Sequence, residues 1–183
     1  MAKKKAKQWL TIVTPDLFGK KEIGHTLVEE PSDAIGRRLV VSAIDVLDDY
    51  SKYYLKMSFK IVKVENQIAY TDFDGLECTR DYIARMVVRR VRRIDLVIDR
   101  KTKDGRLLRI KTIAVAGRRI QSGIQKKIRK RIDEIITEKI KDMTMDEFIK
   151  AVVSDKLKNE IKKEVKKVYP LRYFEFRKIE VRQ

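Results

Sequence analysis

The sequence predicts an α+β protein: a mostly antiparallel β-sheet or β-barrel-like core with one inserted helix, followed by a late cluster of helices. Three observations carry this expectation. Alternating and β-branched runs dominate from Trp9 to Gly75, a hairpin pattern recurs between Ile94 and Val115, and helix-start signals gather after Ser122. At 183 residues the chain fits a single domain. The expected layout is a flexible basic arm over 1–8, a β-rich core with one helix over 9–120, a helical part over 121–169 and a closing strand over 170–183.

Each element has its own signal. Leu39 to Val46 is β-branched, Tyr54 to Val64 alternates apolar and polar residues, and Ile68 to Phe73 follows a turn at Glu65, Asn66 and Gln67. An antiparallel meander is the simplest arrangement of these runs. Thr79 can cap a helix through about Arg92, with Asp81 in the first turn where the helix dipole favours an acid. Ile94 to Asp99 and Leu107 to Val115 read as paired strands around a turn at Lys103, Asp104 and Gly105. Ser122 with Gln125, and Thr144 with Glu147, have capping-box spacing; they open a long helix to about Lys141 and a second helix after it. A third helix runs from about Asp155 to Val168, stops before Pro170, and is followed by an alternating strand over Arg172 to Val181.

The charge distribution identifies the class of partner. The chain holds 44 Lys and Arg against 27 Asp and Glu, a net charge of +17. The excess is local. Residues 1–79 hold 12 basic and 12 acidic side chains, residues 80–131 hold 19 and 4, and residues 132–183 hold 13 and 11. Charge that served solubility alone would have no reason to gather in one segment, whereas a surface facing phosphates would. The single cysteine, Cys78, forms no disulfide within the chain and reads as a small buried thiol. No apolar run is long enough for a membrane span and no signal-peptide core follows the first residues, so a cytoplasmic protein is expected, with no membrane partner.

Within the basic segment, Ile83, Val87, Val91 and Ile94 fall on one face of the helix expected after Thr79, and Arg85, Arg89, Arg92 and Arg93 fall on the other. Guanidinium groups bind phosphate oxygens through paired hydrogen bonds, so such a face suits RNA; a solvated helix face is the plain alternative. Arg118 and Arg119 lead into the long helix, and Lys126, Lys127, Arg129, Lys130 and Arg131 occupy its first turns. Cations at a helix N-terminus oppose the dipole, and phosphates would reverse that penalty. Lys3, Lys4 and Lys5 of the terminal arm complete the candidate RNA-binding set. The hairpin cations Arg100, Lys101, Lys103, Arg106, Arg109 and Lys111 are secondary candidates, because hairpin tips are commonly charged.

No catalytic, metal or cofactor site is expected. His25 is the only histidine, and neither a Cys-x-x-Cys pattern, a phosphate-binding glycine loop nor a calcium loop is present. Asp48-Asp49 and Asp72-x-Asp74 could hold magnesium in an RNA-processing or RNA-modifying factor, which is the alternative reading; acidic turns are the commoner meaning.

Five stretches in order carry a family resemblance: Gly24 to Val28, Leu76 to Asp81, Thr102 to Arg109, Gln125 to Lys130, and Tyr169-Pro170-Leu171 with Arg177-Lys178-Ile179. Together they resemble the small-subunit ribosomal proteins of archaea and eukaryotes called S-one-e, or S-three-A-e, over Trp9 to Val181. The chain resembles the archaeal type, since it is short at both ends beside eukaryotic members. The resemblance implies a structural, non-enzymatic constituent of the small ribosomal subunit, binding ribosomal RNA at the platform near the messenger RNA exit, beside other ribosomal proteins. It supplies no catalytic residues.

Overall fold

The computed structural model describes residues 7–182, so the candidates Lys3, Lys4 and Lys5 lie outside the described residues. The architecture is α+β, with eight strands in mostly antiparallel pairing and the longest helices late in the chain, all counted among the described residues. It divides into two compact units, Met1–Leu76 and Glu77–Gln183.

The first unit is built from β1 (Gln8–Val13), β2 (Glu22–Val28), β3 (Arg38–Ser42), a short helix α1 (Ala43–Leu47), β4 (Leu55–Glu65) and most of β5 (Ile68–Cys78). β1 pairs antiparallel with β2, and β4 pairs with both β3 and β5. The meander expectation fails at one point. β1 lies parallel to β5, with Thr11 opposite Ile68 and Val13 opposite Tyr70, so the first strand joins the last rather than only its neighbour in sequence. The β4–β5 turn uses left-handed Asn66 and Gln67, with φ of 48° and 66°, matching the right-handed twist of a tight hairpin. Leu10, Ile12, Val28, Ile61 and Ala69 form the buried core, and Phe18, Phe59 and Phe73 pack edge-on or tilted at 5.8–6.3 Å.

The β-branched run expected to be a strand to Val46 changes state at Ser42. The Ser42 hydroxyl accepts a hydrogen bond from the Ile44 N–H, Asp45 sits in the first turn, and Asp48 closes α1 in the left-handed conformation at φ 55°. A good cap overrides the β propensity of Ile44 and Val46.

The second unit contains α2 (Arg80–Met86), β6 (Arg92–Lys101), β7 (Leu107–Ala116), α3 (Ser122–Asp142), α4 (Met145–Val153), α5 (Lys156–Lys166) and β8 (Leu171–Arg182). β7 is central, pairing antiparallel with β6 on one side and β8 on the other, and every residue from Thr112 to Ala116 is buried. By the two-residue alternation of strands, Arg93, Asp95, Lys111, Ile113 and Val115 share the face on which α2 packs. The other face carries Ile94, Ile98, Ile110, Phe174 and Phe176. There Arg100 bonds to Asp133 and Thr137 of α3, and Phe148 of α4 lies 6.3 Å edge-on from Phe176. α3 buries Ile128, Ile132, Ile135, Ile136 and Ile140 at helical spacing.

Two expectations about helix ends are corrected. α2 stops at Met86 instead of near Arg92, because the chain turns through left-handed Arg90 (φ 68°) to bring Arg92 into the ladder opposite Ala116. Val87 and Val91, whose helical spacing suggested a longer helix, pack from the turn into the same cluster as Met86, Ile113 and Val115. The Ser122/Gln125 capping box does not form either. Gln121 occupies the cap without a side-chain bond, and the Gln125 amide donates instead to the Ile120 carbonyl at 3.0 Å. The Thr144/Glu147 box does form, with Glu147 N–H donating to Thr144 Oγ1 at 3.3 Å and Thr144 N–H to the Glu147 carboxylate at 2.8 Å.

One buried carboxylate ties α2, α5 and β8 together. The Glu175 carboxylate on β8 accepts bonds from Lys158 Nζ of α5 at 2.6 Å and from the Tyr82 hydroxyl of α2 at 3.1 Å, and its side chain is only 7% exposed. Burial raises the Glu175 pKa despite these two partners, which favour its ionised form. A raised carboxyl pKa means that the native state holds this proton more tightly than the unfolded chain does, so Glu175 adds stability as the pH falls and loses that contribution as the pH rises through its folded pKa. Lys158→Met therefore leaves a buried carboxylate without its cation and is expected to cost about 3 kcal/mol near neutral pH in denaturant unfolding. The deficit should shrink as the pH is lowered toward the ordinary carboxylate range, and a pH-independent deficit would contradict this origin.

Candidate nucleic-acid interface

The ladder register brings three separate stretches of the basic segment to one end of the second unit. Arg92 opens β6 directly opposite Ala116, the last residue of β7. The turn that precedes Arg92 and the loop that follows Ala116 therefore leave the ladder at the same edge. The first carries Arg89 and Arg90, with Arg85 just before it in the last turn of α2; the second carries Arg118 and Arg119.

α3 delivers the third stretch to that end. The Arg129 guanidinium donates to the Asp95 carbonyl at 3.1 Å, while Asp133 and Thr137, farther along α3, meet Arg100, farther along β6. The helix thus runs along β6 in the strand's own direction, with its first turns at the Arg92 end. Lys126, Lys127 and Lys130 are exposed there.

The electrostatics of this end are unbalanced. Arg85, Arg89, Arg90, Arg92, Arg118, Arg119, Lys126, Lys127 and Lys130 are all exposed, and none has a carboxylate partner among the described residues. The first turn of α3 has no acid, and its cap residue contributes no side-chain bond, so the helix dipole adds positive potential at the same place. Other candidates are held by the protein itself. Arg93 bonds to both oxygens of Asp95 at 2.8–3.1 Å, Arg129 serves the Asp95 main chain, and Arg131 reaches Glu164 at 3.0 Å and Glu134 at 3.3 Å. The four-arginine helix face does not exist as drawn from sequence, because Arg89 lies in a turn and Arg92 and Arg93 lie on β6. Arg90 was missed for the same reason: on a continuous helix it would fall off that face.

The secondary hairpin cations behave differently. Arg109 forms two bonds to Asp99 at 2.8 and 3.0 Å, which lower the Asp99 pKa, Arg100 pairs with Asp133 at 2.7 Å, and Lys111 pairs with Glu180 at 3.2 Å. Arg100, Arg109 and Lys111 are thus matched locally, whereas the exposed Lys101 and Lys103, like the nine cations at the Arg92 end, form no ion pair among the described residues.

Gly117 and Gly123 flank the Arg118-Arg119 loop, and a Cβ added at either would meet nothing within 4 Å. Neither has a left-handed φ. Folding places no demand for glycine at these two positions, while a bare backbone there lets a partner approach the main-chain N–H groups at the start of α3.

The acidic-turn candidates have structural employment. Asp48 pairs with Lys21, Asp49 caps a short 3-10 turn through the Ser51 N–H, Asp74 pairs with Arg38 at 3.0 Å, and Asp72 accepts from the Phe73 N–H. Among the described residues no group of three or more His, Cys, Asp or Glu is placed to hold a metal ion. Cys78 is buried, its thiol donates to the Phe176 carbonyl at 3.1 Å, and burial pushes its pKa up to about 12. No helix among the described residues is long and apolar enough to cross a membrane.

Comparison with known proteins agrees with the charge geometry. The model of the Ribosomal S3Ae family matches residues 2–183. A small ribosomal subunit protein eS1 from Methanopyrus kandleri is 40% identical over 181 residues, covering 97% of this chain and 86% of that one. Its counterpart in Methanothrix thermoacetophila is 37% identical over 177 residues, covering 97% and 84%. The one from Methanoculleus marisnigri is 43% identical over 111 residues, covering 61% of this chain and 56% of the relative. These relatives are named as ribosomal proteins and not as enzymes. With its whole described length matched and its relatives archaeal, this chain belongs to the Ribosomal S3Ae family, in its archaeal form.

Proposed function

We propose that the protein is a structural constituent of the small ribosomal subunit in the cytoplasm, holding ribosomal RNA through the Arg92 end of its second unit. The observation that carries this reading is the convergence of nine exposed, carboxylate-free cations on the last turn of α2, the turn into β6 and its first residue, the loop after β7 and the first turns of α3. Like charges gathered without counter-charges raise the energy of the free protein, and a polyphosphate backbone removes that repulsion on binding. The proposed RNA-contacting residues are Arg85, Arg89, Arg90, Arg92, Arg118, Arg119, Lys126, Lys127 and Lys130. Arg129 and Arg131 hold elements together, Arg93 is occupied by Asp95 of its own strand, and all three offer phosphates only their remaining N–H groups. Family membership supports the small subunit as the setting, with neighbouring ribosomal proteins as further partners. A platform position, with messenger RNA passing near the exit, is part of this proposal on the family resemblance alone.

The reading is tested with the variant that carries Arg118→Glu, Arg119→Glu, Lys126→Glu and Lys127→Glu. These side chains have no partner among the described residues, so the unfolding free energy of the RNA-free protein should stay within about 0.5 kcal/mol of the parent for each change. Filter binding to small-subunit ribosomal RNA over a salt series should show a sharp loss of affinity. The slope of log K against log salt should fall by about 3, the number expected for four lost phosphate contacts. An unchanged slope would remove this surface from RNA binding.

A single-residue test separates stability from function. Gly123→Ala should stabilise the free protein by about 0.5 kcal/mol, because the site is helical and open. It should also weaken RNA binding several-fold by crowding the backbone N–H groups at the helix start. Stabilisation with undiminished RNA affinity would show that no phosphate reaches that backbone.

A further inference from the structure

On the α2 face of the β6–β7–β8 ladder, away from α3, the second unit carries a half-open cavity of about 380 Å³. Cys78 and Ile83 form its apolar side, and Glu77 supplies one carboxylate. Five cations complete the lining: Arg80 from α2, Arg93 from β6, Lys111 from β7, and Arg177 and Lys178 from β8. The volume lies in the range of small-ligand pockets.

The cavity is assembled against the preferences of the sheet. Lys111 and Lys178 are direct partners across the β7–β8 ladder, an arrangement of like charges that destabilises a strand pair. Next to them β8 carries a bulge. Lys178 pairs with Lys111 and Phe176 with Thr112, so Arg177 is the extra residue, turned out of the regular alternation and onto the cavity. Three carboxylates steady these cations without cancelling them. Asp95 serves Arg93 at 2.8 Å and Arg177 at 3.9 Å, Glu180 serves Lys111 at 3.2 Å and Lys178 at 3.0 Å, and Glu77 takes Lys178 at 3.1 Å. Arg80 is exposed and makes no ion pair among the described residues.

We infer that this cavity is a pocket for one nucleoside phosphate, presented as a single unstacked ribonucleotide of a bound RNA. Guanidinium and ammonium groups converge where a phosphate would sit, and Ile83, with the buried Cys78 behind it, gives a planar base an apolar edge. The Glu77 carboxylate can accept a hydrogen bond from a base amino group. An acidic peptide side chain would use the cations but leave the apolar wall uncovered, so a nucleotide accounts for more of the lining. RNA commonly exposes unstacked bases in bulges and loops to such pockets. The RNA source rests on the proposed RNA-binding role, while the nucleotide chemistry stands on the cavity alone.

Amide NMR titration of the intact chain tests the pocket, with the four nucleoside 5′-monophosphates, the nucleosides and inorganic phosphate as probes. The nucleotides should shift Cys78, Ile83, Arg93 and Arg177 together, binding about tenfold more tightly than either nucleoside or phosphate. Arg80→Ala, at an exposed site without an ion pair, and Arg177→Ala should each lower that affinity. The variant changed at Arg118, Arg119, Lys126 and Lys127 should retain it while losing ribosomal RNA. No shifts at these residues, or equal affinity for phosphate alone, would overturn the nucleotide assignment even if ribosomal RNA still binds the Arg92 end. A hairpin RNA with one bulged nucleotide should bind better than its fully paired counterpart, and the double variant Arg80→Ala, Arg177→Ala should erase the difference. Equal binding of the two RNAs by the parent would overturn the RNA source.

Discussion

The register between β6 and β7 is the constraint on which the rest of the second unit depends. Because Arg92 must lie opposite Ala116 for Ile94 and Ile98 to reach the same buried face as Ala114 and Ile110, the turn before one strand and the loop after the other emerge side by side. A slip of one residue would turn that apolar set out of the core. Burial of apolar surface, which has no interest in charge, thereby decides where the charge converges.

Local charge matching separates scaffold from surface. Asp99 and Arg109, Asp133 and Arg100, and Glu164 and Arg131 are cross-element pairs that hold hairpin and helices in place. Exposed pairs of this kind contribute modestly each, and their value lies more in orientation than in energy. The nine exposed cations at the Arg92 end have no such partners among the described residues, so the distinction between a basic residue that supports the fold and one available to a partner follows from pairing rather than residue type.

Much of this was legible in the sequence, and the misses have physical causes. The β6–β7 hairpin, the three late helices, the Thr144 box and the closing strand follow from local periodicity and caps, which a linear reading captures. The parallel pairing of β1 with β5 joins residues nearly sixty apart, and no local pattern reports it. The end of α2 was missed because Val87 and Val91 satisfy a helical spacing while packing from a turn. Clustering of charge in residues 80–131 was plain, but which cations lack partners depends on carboxylates from distant elements, such as Glu164 beside Arg131. The cavity lining was invisible for the same reason: Arg80, Lys111 and Arg177 come from three elements, and Arg177 reaches it through a bulge that alternation does not foresee.

The hairpin tip between β6 and β7 makes two bonds to the junction of α3 and α4: the Lys103 N–H donates to the Met143 carbonyl at 3.2 Å, and the Met145 N–H donates to the Asp104 carboxylate at 2.9 Å. With Arg129 fastened to Asp95 near its beginning, α3 is pinned at both ends of its length to the same strand pair. A helix clamped in this way behaves as a strut: its main chain is held at both ends, so the leading cations project from a fixed backbone and keep only their own rotamer freedom. The tip, far from the basic end, thereby helps to fix where the main chain of that end lies; under the proposed RNA-binding role, loosening it would leave those nine charges in place and still weaken the grip.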